Sequence, residues 1–335
     1  MTPPLADRLS TYIAARYPYA IVSDMEFLTS GFESEIYTFN LKRLSTFGNK
    51  YILRLFMGDG AAGKLAREAR ALSLLQTAGY PVPALLLQEA DPDFLGRPFE
   101  IIERLEGQAL WLVIASAEPS RQKELLSRFG SLLAQLHQLD WRAFIEKPES
   151  YEETPSRLLD DTISHYRALY TKYHLTGFLQ LTDWLDSHKH EISVRPAVVH
   201  QDFHANNVLL CTDDHMAVID WTQFAISDSR IDLCWTLLVM GELGDPDWSK
   251  QILQAYTSLS NRPVKHLDYF HVIVSMKLLA STVIAYNFSP EEVGLRAEAV
   301  ALTKEQATRY QELSRQIRTI TGLAVPELQD MLESV

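Results

Sequence analysis

Apolar residues change their period part-way along this chain. Over the first hundred positions, short alternating runs dominate. Residues 26–30 and 35–41 alternate apolar with polar around Gly31, the pattern of a β-hairpin. KYILRLF at Lys50–Phe56 predicts a further strand. AAGKLAREARALSLLQT at Ala61–Thr77 spaces its apolar residues as a helix does, and Gly79 followed by Pro81 ends it. A helical pattern also follows Pro3 and Pro4 as far as Ala15. Two more strands are expected at 84–88 and 98–103, divided by the turn-rich ADPDFLGR.

After Leu105-Glu106-Gly107 the helical period takes over. Helices are predicted over 122–139, 155–170, 178–191, 231–240, 249–258, 267–286 and 290–319. One β-like interruption lies at 197–220, where AVVH, NVLL and MAVID alternate with polar loops. No internal repeat or low-complexity linker divides the chain. The outline is α+β: a small antiparallel-sheet lobe over 1–104, a hinge near 103–107, and a large, mostly helical lobe over 105–335.

Composition narrows the function classes. Hydrophobic residues at 47% and charged residues at 22% describe a folded globular protein without long disordered tracts. A net charge of −12 disfavours a general nucleic-acid binder, because phosphate backbones attract basic surfaces. The same charge serves solubility and would also suit a cationic small molecule. The two cysteines, Cys211 and Cys234, form no CxxC and show no metal spacing, so they are expected as buried thiols in a reducing compartment. The first residues lack a basic stretch followed by an apolar run, so no signal peptide is expected. The apolar segment 270–286 is broken by His271 and Lys277 and is short against the ~20 residues of a bilayer span, so it reads as a buried helix. A cytoplasmic protein with neither membrane nor nucleic acid as partner, monomeric or homodimeric, is the expectation.

The chemistry concentrates in His200-Gln201-Asp202-Phe203-His204-Ala205-Asn206-Asn207, followed by Val218-Ile219-Asp220-Trp221. Phosphoryl transfer to a hydroxyl asks little covalent chemistry of a protein. It needs a carboxylate to orient the hydroxyl and accept its proton, and oxygen ligands for the magnesium that bridges the phosphates. Asp202 and Asn207, on a loop between short strands, can supply both, and Asp220 at the end of the next hairpin can complete the metal site. Asp and Asn also form turns readily, but the pair of motifs at this spacing favours the chemical reading.

These motifs resemble those of the aminoglycoside phosphotransferase superfamily, which includes choline, ethanolamine, homoserine, methylthioribose, fructosamine and macrolide kinases. The resemblance runs in order through YILRLF, LAREARALSLLQTAGYPVPALL, FLGRPFEIIERLEG, LLAQLHQLDW, VVHQDFHANNVLL, AVIDW and SRIDLCW. It implies a two-lobed protein-kinase-like fold and ATP with Mg2+ as cofactors, held in an interlobe cleft. By the same resemblance Asp202 is the base, and Asn207 and Asp220 are the magnesium ligands. Glu68 pairs with the strand cation, residues 101–107 (Ile102, Glu103 and Leu105 among them) meet the adenine, and Asp232 braces the catalytic loop.

Two positions depart from the family pattern. The strand that normally carries a phosphate-contacting Lys reads Leu53-Arg54-Leu55; Arg is always charged and binds phosphate bidentately, so Arg54 is expected to replace it with a different reach. The phosphate loop, Thr29 to Ser34, has the single glycine Gly31, and Ser34 is expected to offer a backbone N–H or its hydroxyl to phosphate, with Glu33 turned away.

Other conspicuous residues read as structural. His200 and His204 flank Asp202 without the further ligands a zinc site needs; His200 is expected to bond backbone and set the loop. His137 and Trp221 read as packing residues, and Glu106 as either solvated or beside the adenine. For the acceptor, Trp111, Trp235, Tyr256, Tyr269, Phe270 and Tyr286 are candidate aromatics, and Asp228, Asp232, Glu242 and Asp245 candidate acids. No spacing among them chooses between a quaternary ammonium, a polyamine sugar and a macrolide. The expected function is ATP-dependent transfer of the γ-phosphate to a hydroxyl of a small, cationic-leaning molecule. The alternative is a nucleotide-binding pseudokinase. A protein kinase is disfavoured: D-F-G and A-P-E are missing, and the Asp232 helix follows Asp220 too soon for a peptide-docking activation loop.

Overall fold

The computed structural model describes residues 4–30, 34–43, 49–58, 60–145, 154–242, 245–260, 263–290 and 305–334. Chain order begins with α1 (Leu5–Arg16), β1 (Ile21–Ser30), β2 (Ser34–Lys42), β3 (Lys50–Phe56) and α2 (Ala61–Thr77). It continues with β4 (Leu85–Glu89), β5 (Phe99–Glu103), β6 (Gly107–Ala109), α3 (Leu110–Ser116), α4 (Pro119–Gln138), α5 (Thr154–Lys172) and α6 (Thr176–His188). Then come β7 (Pro196–Val199), β8 (Val208–Cys211), β9 (Met216–Val218), β10 (Ala225–Asp228), α7 (Ser229–Leu237), α8 (Pro246–Leu259) and α9 (Leu267–Asn287). The last described helices are α10 (Ala307–Thr321) and α11 (Pro326–Ser334).

The protein has the mixed α+β, kinase-like architecture that its sequence predicts, and it divides into two compact units. The first joins Met1–Val113 to Asn206–Phe224; the second joins Ile114–Ala205 to Ala225–Val335. The expected lobes, 1–104 and 105–335, differ from these units in two stretches, 105–113 and 206–224, both of which join the first unit. Strand β8 pairs antiparallel with β6, Gly107 opposite Cys211, and the Val218 N–H donates to the Pro81 carbonyl at 2.9 Å. These bonds group the β8–β9 hairpin with the first unit, which local periodicity could not foretell.

In the first unit, five antiparallel strands take the order β1-β2-β3-β5-β4, and a second sheet runs β6-β8-β9. Strand β3 is central, so both its faces are covered and its sequence is nearly all apolar. Tyr51, Leu53 and Leu55 pack with Phe39, Leu41, Phe99 and Ile101 and with Leu9, Tyr12 and Ile13 of α1. The last three sit at i, i+3 and i+4, one stripe of a helix, and each such apolar side chain is worth about 1.5–3 kcal/mol when fully buried. Helix α2 buries Leu65, Glu68, Ala69, Leu72 and Leu75. A carboxylate on an apolar stripe needs a partner, and Arg54 is that partner. Gly79, at φ +74, supplies the left-handed residue that ends α2.

The second unit is helical except for β7 and β10, which pair antiparallel. Its core clusters around α9, whose Phe270, Ile273, Met276, Leu279 and Val283 are fully buried among α5, α6, α10 and α11. Helix α9 matches the expected 267–286 to within one residue and, at 21 residues, is long and apolar enough to cross a membrane; 72% of its most apolar window is buried inside the unit. Short elements escaped the sequence reading: α3, β6, β10 and α11. The predicted helix 290–319 is described only in its second half, as α10; residues 291–304 lie outside the described residues.

Candidate active site

In the first unit, β3, α2, the connector after β5 and the β8–β9 hairpin surround a cavity of about 350 Å³. Arg54, Glu68, Ile102, Glu103, Leu105, Asn207 and Asp220 all line it, together with apolar Leu28, Ile36, Ile52, Leu72, Leu209 and Ile219. Seven of the residues singled out in the sequence thus meet at one surface. Ser34 joins them through Arg54, whose Nε donates to the Ser34 hydroxyl at 2.9 Å. Gly31 lies outside the described residues.

Arg54 organises the polar end. Its Nη1 donates to both Glu68 oxygens, at 2.6 and 2.7 Å, and its Nη2 to Asp220 Oδ1 at 3.1 Å. Burial alone would lower the pKa of this guanidinium, but the charges of Glu68, Asp220 and Glu100 raise it. A lysine could not make this fork, because its point charge lacks the planar spread of donors. Asp220 has φ +66, a left-handed conformation that Asp tolerates, and it also accepts from the Thr222 hydroxyl at 3.1 Å. The Trp221 N–H donates to Glu68 Oε1 at 3.2 Å, and the Trp221 ring is fully buried, in accord with a packing role.

Glu100, which the sequence reading passed over, faces Arg54 across the β3–β5 ladder. It is fully buried, and neither carboxyl oxygen has a hydrogen-bond partner among the described residues. Burial, reinforced by Glu68, pushes its pKa well above the ordinary range. At the connector, the N–H groups of Glu103 and Arg104 are bonded to the carbonyls of Ala84 and Lys50, at 2.8 and 3.1 Å. The sheet therefore uses two of the backbone groups expected to meet adenine. Glu106 is exposed and ion-paired with Lys50 at 2.6 Å.

In the second unit, Asp232 at the start of α7 accepts from the N–H of His200 at 2.6 Å and of Gln201 at 2.5 Å. It braces the loop as expected. The Asp202 N–H reaches His200 Nδ1 at 3.3 Å, and His200 is fully buried. His137 lies between the Tyr256 hydroxyl, at 2.9 Å, and Asp232 Oδ2, at 3.4 Å, a buried and satisfied core histidine.

Asp202 is 28% exposed. The indole Nε1 of Trp235 donates to its Oδ1 at 2.9 Å, and His204 Nε2 stands 3.4 Å from the same oxygen. Burial by itself would raise its pKa; the His204 hydrogen bond and charge, then Lys277 and His200, hold the carboxyl well below the usual range. It is an ionised acceptor at neutral pH.

Several acceptor candidates prove structural. Asp228 caps α7 and is buried against Arg230, at 2.7 Å, and Asp245 caps α8. Phe270 is core, and the Tyr269 hydroxyl donates to the Leu185 carbonyl. The sequence shows no metal spacing around Cys211, yet the β8–β9 turn brings ligand atoms of Cys211, Asp213 and His215 within 4.8 Å of one another, with Asp213 and His215 hydrogen-bonded and exposed. That group lies outside the cavity lining.

Residues 24–266 match the model of the phosphotransferase enzyme family. The chain belongs to that family. Solved phosphotransferases share its fold. A putative aminoglycoside phosphotransferase from Ralstonia eutropha superimposes with a TM-score of 0.65 at 17% identity, covering 98% of each chain. Macrolide 2′-phosphotransferase type I gives 0.59 at 19% identity over 91% of this chain and 98% of its own. The ADP-bound aminoglycoside phosphotransferase APH(2″)-Ib gives 0.58 at 16%, over 94% and 99%. Among curated proteins, acyl-CoA dehydrogenase family member 10 of Mus musculus is 26% identical over 182 residues, 53% of this chain and 17% of that protein. Member 11 of Pongo abelii is 25% identical over 178 residues, 51% of this chain and 22% of that protein. The chain spans about a fifth of the length of these relatives.

Proposed function

We propose that this phosphotransferase is an ATP-dependent small-molecule kinase that transfers the γ-phosphate to an acceptor hydroxyl, with Asp202 as catalytic base. The observation that carries this reading is the convergence of Arg54, Glu68, Asn207 and Asp220 on one cavity of about 350 Å³ that apolar side chains also line.

Adenine would lie against Ile36, Ile52, Ile102, Leu209 and Ile219, with its polar edge at the Leu105 backbone, beyond the bonds that occupy Glu103 and Arg104. Arg54 would meet the phosphates, held in place by Glu68 and Ser34. Magnesium fits the site on its donor chemistry: Asn207 and Asp220 are hard oxygen donors, and the carboxylates of Glu68 and Asp220 share the single guanidinium of Arg54, which leaves negative charge for a further cation. When bound, Mg2+ would neutralise charge on the transferring phosphoryl group. Asp202 would accept the hydroxyl hydrogen bond, then the proton, as the hydroxyl oxygen attacks phosphorus and ADP departs.

A coupled ADP-release assay with Mg-ATP tests this reading. The acceptor panel includes aminoglycosides, macrolides, choline, ethanolamine, homoserine, methylthioribose and fructosamines. The curated relatives are named acyl-CoA dehydrogenase family members, so acyl-CoA thioesters join the panel, chosen with a hydroxyl because the proposed transfer needs one. Acceptor-dependent turnover that disappears in Asp202→Asn supports the kinase. Tight Mg-ATP binding with no turnover on any acceptor, in wild type and variant alike, favours the pseudokinase.

A further inference from the structure

The only charged side chain along the buried middle of α9, from Phe270 to Ala285, is Lys277. An ammonium in an apolar helix is costly unless it answers a charge or a dipole. Several groups answer it, the charge of Asp232 among them. Its Nζ donates to the Gln201 carbonyl at 3.0 Å, it sits 4.6 Å from the centroid of the Trp235 ring, and it feels the charge of Asp202. Trp235 in turn donates its indole N–H to Asp202. Lysine, indole and carboxylate thus form a relay from α9 through α7 to the loop.

Gln201 explains why the loop needs such support. Its φ is +64, a left-handed conformation that glutamine adopts rarely and that no glycine supplies here. Both of its backbone polar groups are engaged: the N–H by Asp232 and the carbonyl by Lys277. A residue in that region keeps its conformation only where its surroundings over-determine it. The next residue is Asp202.

We propose that Lys277 and Trp235 are positioning residues for Asp202, the ammonium clamping Gln201 in its left-handed turn and the indole fixing the carboxylate. The inference rests on the kinase reading above, in which Asp202 meets the acceptor. Neither residue lines the nucleotide cavity, so both act on the transfer step and not on ATP binding.

The test compares wild type, Lys277→Met, Lys277→Arg, Trp235→Phe and Asp202→Asn as full-length chains, with two readouts. The first is Mg-ATP turnover with whichever panel acceptor the wild type uses. Lys277→Met and Trp235→Phe should each lower kcat about tenfold to a hundredfold while KM for ATP stays within about twofold. Lys277→Arg should recover part of the loss, which a packing defect would not predict. The second readout is the Trp235 indole N–H resonance, assigned by its loss in Trp235→Phe. It should shift in both Asp202→Asn and Lys277→Met.

Wild-type kcat in Lys277→Met and Trp235→Phe beside a dead Asp202→Asn would overturn the positioning role and leave the kinase standing. If no acceptor supports turnover, or if Asp202→Asn is fully active, the kinase reading is what fails. The indole resonance then decides the structural relay alone, and a resonance unmoved by both substitutions overturns it.

Discussion

Glu100 stands directly opposite Arg54 on neighbouring strands, fully buried and with no hydrogen bond to either carboxyl oxygen among the described residues. Burial first, and then the negative charge of Glu68, raise its pKa well above the ordinary glutamate value of 4.5. A carboxyl raised in the folded state binds its proton more tightly there than in the unfolded chain. Its contribution to stability is therefore complete below the ordinary value and is lost as pH climbs through the raised one. Glu100→Gln, which keeps the shape without the ionisation, should melt higher than wild type at pH 8, with the gap closing towards pH 4.5. Thermal denaturation across that range measures it; a gap that widens on acidification contradicts the assignment.

Arg54 holds Ser34, Glu68 and Asp220 at once through its fork of donors. Arg54→Lys would keep the charge and lose the fork. Mg-ATP binding should weaken on the order of tenfold, or about 1.4 kcal/mol, as read by calorimetry. Equal or tighter binding by the lysine variant would show that charge alone matters at this position.

Asn207 and Asp220 offer the oxygen donors proposed for magnesium. Asn207→Ala and Asp220→Ala should each cost about a hundredfold or more in kcat and move the Mg2+ titration to higher concentration. Asp220→Asn keeps an oxygen that can accept from Arg54 and removes the carboxylate charge, so it separates the charge at the metal site from the loss of Arg54's partner. Unchanged magnesium dependence in all three would remove these residues from the metal site.

Gly107 packs against the β8 backbone so closely that an added Cβ would lie 2.6 Å from the Leu210 carbonyl oxygen. Its neighbour there is main chain, which cannot swing aside. Gly107→Ala should destabilise the protein by about 1–3 kcal/mol and weaken nucleotide binding, since Gly107 lines the cavity. Chemical denaturation and ATP titration on the same sample report both effects.

The sequence made much of this site legible, and the reason differs by residue. Strand β3 and helix α2 keep their predicted ends because their periods are long and their stops are glycine and proline. Glu68 was singled out only through the resemblance of its helix to the family pattern. Asp202, Asn207 and Asp220 were visible through motif spacing. Glu100 was not, because an acid second in FEIIE looks like an exposed strand position until β3 and β5 pair. Lys277 read as an interruption of an apolar run; only the approach of α9 to the Gln201 carbonyl gives it a purpose. Trp235 was noted as an aromatic for the acceptor, yet its indole N–H goes to Asp202. The boundary at 104/105 treated the chain as contiguous blocks, which cannot anticipate a hairpin that pairs with a distant strand.

The division of the first unit between two stretches of chain has a consequence for how the protein is made. Sheet β1–β5 can form from local sequence, but the floor of the nucleotide cavity arrives with Asn206–Phe224, after residues 114–205 have been synthesised. Contacts of such high sequence separation are slow to close and carry a large loop-entropy cost. A nascent chain therefore has no complete cavity, and on the proposed reading no ATP site, until its last hairpin strand leaves the ribosome. Nucleotide, which can stabilise only the completed unit, acts late, on the docking of that hairpin and not on the folding of the sheet that receives it.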